Sequence, residues 1–160
     1  MQDEIDVYDL RKLPSEERFS VCKQILENEK DESLRWDAVW LAGETAQVET
    51  KNGKLFDQIS DLMAWVLKND DNSVVKHEAC YQIAMRKMEK KIPDLVDSAL
   101  HDESPLVKHE AIEALGLLNA FSSDELISKS LKSSNLDIKQ TAEFVLRRLE
   151  RMKNNLTIHA

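Results

Sequence analysis

The feature that most limits what this chain can fold into is a stretch that occurs twice. Lys76-His77-Glu78-Ala79 returns 32 residues later as Lys108-His109-Glu110-Ala111, each time after a short acidic and polar loop. In the second copy, Asp102, Glu103 and Ser104 offer oxygens to the free N–H groups of a first helical turn, and Pro105 suits the first helical position. Leu106, Ala111, Ala114, Leu115 and Leu118 then recur at helical spacing and predict a buried stripe. A wider alignment extends the pattern to four copies. Arg35, Lys76, Lys108 and Lys139 share one slot, at intervals of 41, 32 and 31 residues, and Ala38, Ala79, Ala111 and Ala142 share another. Gly43, Ala84 and Gly116 occupy a third slot, where a small residue lets neighbouring helices approach. The Asn52-Gly53 turn absorbs the longer first interval.

Each copy reads as the second helix of a hairpin. Ser15 starts a helix after Pro14, carrying Phe19, Cys22, Ile25 and Leu26 on one face, and its partner carries Leu34, Ala38, Leu41 and Ala42. Leu55, Ile59, Leu62, Met63, Val66 and Leu67 mark the next first helix, and Leu95, Val96 and Leu100 the third. Ile127 and Leu131 mark the fourth, which passes Asn135 into Ile138, Ala142, Val145, Leu146 and Leu149. Paired helices at this period predict an all-α solenoid of about four HEAT-like hairpins over residues 14–153. Residues 1–13 read as an acidic lead-in, mobile or loosely docked, and residues 154–160 as a frayed tail.

Composition narrows the function. A chain of 160 residues suits one domain, and a net charge of −8 argues against non-specific nucleic-acid binding, which needs a cationic face. No apolar run has the length a bilayer requires. The acidic opening is unlike a secretory or transit peptide, and two cysteines, Cys22 and Cys80, make no disulfide framework. The expectation is a cytoplasmic protein, without membrane or nucleic-acid partners, whose acidity fits either good solubility or a basic partner such as a basic protein substrate.

The repeated pair carries the candidate chemistry. Equivalent positions on stacked helices lie roughly 8–10 Å apart, so His77 and His109 could converge on one ion. Two imidazoles with one or two carboxylates are the donor set of an oxygen-activating iron site. A helix N-terminus opposes a cation, and Glu78 and Glu110 in the same turns supply the compensating charge. A competing reading makes the tetrapeptide a surface remnant of duplication. Against it, the flanks have diverged (Cys80-Tyr81-Gln82, Ile112-Glu113-Ala114) while the pair has not. The outer repeats carry Trp36-Asp37 and Gln140-Thr141 there, so the fold does not demand the pair. His101 and His159 lie outside the slot and read as exposed. Cys80 reads as a small buried side chain, Trp36, Trp40 and Trp65 as packing residues, and the basic run 86–91 as a solvated helix end. No phosphate loop, Cys-x-x-Cys pair or nucleophile elbow occurs.

Lys108-His109-Glu110-Ala111-Ile112-Glu113-Ala114-Leu115-Gly116, preceded by Ile92-Pro93-Asp94-Leu95-Val96, closely resembles the HEAT-like repeats of deoxyhypusine hydroxylase. The closing Ala142 to Glu150 segment is similar to the last repeat of one half of that enzyme. The resemblance implies a non-haem di-iron monooxygenase that hydroxylates a modified lysine, with dioxygen as co-substrate. It implies His77 and His109 as iron ligands, Glu110 as a carboxylate ligand, and Glu78 as a ligand or a ligand's hydrogen-bond partner. One half with two pairs implies one ion per chain, or two ions in a two-fold homodimer. The alternatives are a di-iron oxygen sensor or carrier, and a metal-free adaptor that grips a protein partner along its concave face.

Overall fold

The computed structural model describes residues 6–158, and their regular structure is helical: an all-α solenoid, as the repeat predicts. Its α-helices are α1 (Ser15–Asn28), α2 (Glu32–Val48), α3 (Lys54–Asn69), α4 (Ser73–Met85), α5 (Ile92–His101), α6 (Pro105–Leu117), α7 (Asp124–Lys129) and α8 (Leu136–Ile158). Short 3-10 turns at Val7–Lys12, Glu89–Lys91, Phe121–Ser123 and Ser130–Lys132 punctuate them. The chain divides into two compact units, residues 1–82 and 83–160, with the change falling inside α4.

In the first unit α1 packs on α2, and α3 lies against both. Cys22, Leu26, Ala38, Val39, Leu41, Ala42, Ile59, Met63 and Val66 form its core. Burial pushes the Cys22 thiol up to about 12, because the thiolate would lose its water. Arg35, at the start of α2, is buried and grips Asp70 through two bonds, Nε to Oδ2 at 2.9 Å and Nη2 to Oδ1 at 3.2 Å. Its Nη1 donates to the carbonyls of Glu29 and Lys30, both at 3.0 Å. Asp70 Oδ1 also accepts from Asn72 N–H, and Asn72 Oδ1 caps α4 by accepting from the N–H groups of Val74 and Val75. A line of bonds thus runs from α2 to the first turn of α4.

The lead-in differs from expectation from Asp6 onward. Val7 and Leu10 are only 4% and 9% exposed, and residues 7–12 pack on α2 as a 3-10 turn. Arg18 of α1 holds this segment by donating to the carbonyls of Leu10, Arg11 and Leu13 at 3.2, 2.9 and 3.0 Å. Tyr8 Oη donates to Asp37 at 3.0 Å, and burial, followed by that carboxylate, raises the Tyr8 pKa.

In the second unit α5 and α6 form a hairpin, α6 packs on α8, and α7 touches α5 and α8. Ile83, Met88, Leu95, Val107, Ile112, Leu115, Ile127 and Val145 are its buried centre. Gly116 leaves room for α8: a Cβ there would sit 3.0 Å from Val145 Cγ1. Helices α4 and α6 stop in the same way. Lys87 (φ 55°) and Asn119 (φ 51°), 32 residues apart, take left-handed conformations. Each stop closes with two reverse bonds, Met88 N–H to Ile83 and Lys87 N–H to Ala84, then Ala120 N–H to Leu115 and Asn119 N–H to Gly116. Met88, within the run expected to be solvated, is fully buried because this stop turns it inward. The expected fraying from residue 154 also gives way, since α8 stays helical to Ile158.

Candidate metal centre

Val107, Ala111, Ala114 and Leu115 are buried and fix the rotation of α6 about its axis. That rotation half-exposes His109 and Glu113 and leaves Glu110 only 7% exposed. His109 and Glu113 are one helical turn apart on one face, with Nε2 and Oε1 separated by 3.5 Å. One donor atom each from His109, Glu110 and Glu113 fall within 4.8 Å of one another. The α6 N-terminus departs in detail from expectation: Ser104 makes no side-chain cap, and Asp102 Oδ1 instead accepts from Ser104 N–H at 2.9 Å.

The other ring nitrogen of His109 is held from α8. Nδ1 lies 2.7 Å from Thr141 Oγ1, and Thr141 Oγ1 donates to the Asp137 carbonyl one turn earlier, also at 2.7 Å. Metal bonds to imidazole and carboxylate of about 2.0–2.2 Å leave donor atoms some 3–4 Å apart. The α6 trio, with its donor atoms within 4.8 Å of one another, lies near that spacing. One imidazole and two carboxylates suit a divalent first-row metal such as Fe2+, Mn2+ or Zn2+, so these residues fit the ion the resemblance implies.

His77 and Glu78 belong to the first unit. Val75, Ala79 and Cys80 are buried on α4, His77 is half-buried, and Glu78 is 7% exposed. Gln82, fully buried one turn later, donates from Nε2 to Glu78 Oε1 at 2.9 Å. Gln82 in turn lies against Gly43 of α2, where an added Cβ would overlap its amide. Glycine at that slot is thus tied to the orientation of Glu78. In the outer repeats, Trp36 stacks on Trp40 with ring centroids 6.3 Å apart, and Asp37 is engaged by Tyr8.

His101 is exposed, and His159 lies outside the described residues. Sequence reasoning missed three residues. Glu113 was visible as the residue four after His109. Gln82 stands at the same spacing after Glu78. In sequence Thr141 is only a departure from the repeated slot, whereas its hydroxyl reaches His109 from the next repeat.

These observations define a helical-repeat protein with a candidate metal centre, and sequence comparison names the class. A profile of HEAT repeats matches residues 19–116 and again residues 59–147, so the chain belongs to the HEAT-repeat family. Within that family it is similar to one half of deoxyhypusine hydroxylase. The Arabidopsis thaliana enzyme is 35% identical over 88 residues, covering 53% of this chain and 28% of that protein. The Homo sapiens enzyme is 33% identical over 92 residues, covering 55% of this chain and 30% of that protein. The solved structure of human deoxyhypusine hydroxylase in complex with glycerol matches with a TM-score of 0.72 at 23% identity, covering 92% of this chain and 48% of that one. At that identity the structural match speaks for the fold. The chain spans about half of the solved protein, and the aligned segments span less than a third of the two curated relatives.

Proposed function

We propose that this chain is a metal-dependent, oxygen-activating hydroxylase of the deoxyhypusine hydroxylase kind. His77, Glu78, His109 and Glu110 hold iron, and Glu113 adds a donor on α6. The observation that carries this reading is the α6 trio. One imidazole and two carboxylates each offer a donor atom within 4.8 Å of the others, a donor set suited to a divalent metal.

Bound iron would supply the activation of dioxygen. The chain's own residues bind and orient: Gln82 turns Glu78, and α6 presents His109 and Glu113 on one face. The net charge of −8 suits a cationic, lysine-like side chain on a basic protein. Two copies about a two-fold axis would supply four His–Glu pairs, so the reading extends to a homodimer binding two ions.

The test is iron content of the purified chain, its absorbance after exposure to oxygen, and its mass in solution. Incubation with a deoxyhypusine-bearing peptide should add one oxygen atom by mass spectrometry. The His77→Ala, His109→Ala double variant should lose iron and turnover together. Unchanged iron in that variant rejects the assignment.

A further inference from the structure

We propose that Thr141 is a positioning residue for His109: its hydroxyl accepts the Nδ1–H and so leaves the Nε2 lone pair facing Glu113. The inference deepens the reading of α6 as a metal centre and rests on it only for the consequence to affinity. The argument is a count of hydrogens. Thr141 Oγ1 lies 2.7 Å from the Asp137 carbonyl oxygen, which can only accept. Two oxygens at that distance repel unless a hydrogen lies between them, and the single hydroxyl hydrogen is the one available. The contact between Oγ1 and His109 Nδ1 is equally short, at 2.7 Å, and must also contain a hydrogen. With the hydroxyl hydrogen committed, that second hydrogen belongs to the ring. Neutral His109 is then protonated at Nδ1 and bare at Nε2, the nitrogen 3.5 Å from Glu113 Oε1.

This assigns the α8 slot a use. Where α4 and α6 carry a glutamate after the histidine, α8 carries Thr141, and it serves the histidine of the preceding repeat. Metal-ligating histidines commonly donate their remote N–H to a fixed acceptor, which sets the tautomer and holds the ring plane. Here a threonine hydroxyl, itself oriented by the helix it sits on, takes that place.

The experiment reads the tautomer directly. A long-range 1H–15N spectrum of the full chain, metal-free and at a pH where His109 is neutral, should show a protonated Nδ1 and a bare Nε2. Assignment comes from a His109→Gln spectrum. Thr141→Val, which keeps the shape and removes the acceptor, should mix the tautomers and weaken Fe2+ or Zn2+ binding roughly 10- to 100-fold. Thr141→Ser should restore both. A wild-type ring protonated at Nε2 overturns the proposal, as does a folded Thr141→Val chain with unchanged tautomer and affinity. If Thr141→Val fails to fold, the wild-type spectrum still decides. A chain with the expected tautomer and no metal affinity would reject the hydroxylase reading while supporting the role of Thr141. A chain that binds metal through a ring protonated at Nε2 would do the reverse.

Discussion

The His–Glu pairs of α4 and α6 share a tetrapeptide and a helical slot, yet they are braced differently. On α4 the carboxylate is the fixed member: Gln82 donates to Glu78 and is itself wedged against Gly43. On α6 the imidazole is the fixed member: Thr141 meets His109 Nδ1 while Glu113 faces Nε2. Repetition thus preserved the groups that can bind an ion, while the groups that aim them were chosen separately in each repeat. Substitution at the braces should therefore separate the two pairs more cleanly than substitution within them.

The largest separation should come from Arg35→Ala. It strands the buried Asp70 carboxylate and cuts the line from α2 to the α4 cap, at a cost of about 3–5 kcal/mol. Urea unfolding should report the loss, and amide exchange should speed up in the first turn of α4 while α6 stays protected. Gly43→Ala comes next, at about 1–3 kcal/mol, because its methyl group displaces Gln82 from Glu78. A double-mutant cycle with Gln82→Ala should show strong coupling, since the smaller side chain vacates the overlap; additivity would break the proposed link. Lys87→Gly should stabilise by roughly 0.5–1 kcal/mol, because a lysine there holds a left-handed backbone that glycine adopts freely. Asn119→Gly should gain less, asparagine being more tolerant of that region, and equal gains would erase the contrast.

The last difference is absent at neutral pH. Both cysteines, Cys22 and Cys80, precede residue 83, so a thiol contribution to alkaline loosening is confined to the first unit. The Cys22 pKa is raised from 9.0 to about 12, so the folded chain holds that proton longer than the unfolded one. Stability from the protonated thiol is therefore complete below about pH 9 and is lost as pH climbs toward 12. Chemical denaturation of the wild type against Cys22→Ala over that range should show the extra slope in the wild type alone.

Much of the fold was legible because it is local and periodic. The alanine slot at 38, 79, 111 and 142 is buried in all four repeats, and Gly116 does sit where α8 comes close, whereas Gly43 makes room for the Gln82 side chain. What escaped was tertiary. Val7 and Leu10 lie in an acidic segment that looks unattached until Arg18 collects its carbonyls. Asn154 onward offers no apolar rhythm, yet a helix of 23 residues propagates through it, since extending a helix costs far less than starting one. Residue type and recurrence singled out His109 and Glu110 of the α6 trio, and by the same signal His77 and Glu78 on α4. Thr141 and Gly43 could not be read that way, because each acts on a residue 32 or more positions away.

The matching left-handed stops at Lys87 and Asn119 make the intervening stretch a natural cassette. A duplicate of residues 88–119 spliced in after Asn119 would enter and leave through seams that already exist in the parent. Such an array would grow by whole modules, and each added module would bring its own imidazole and carboxylate.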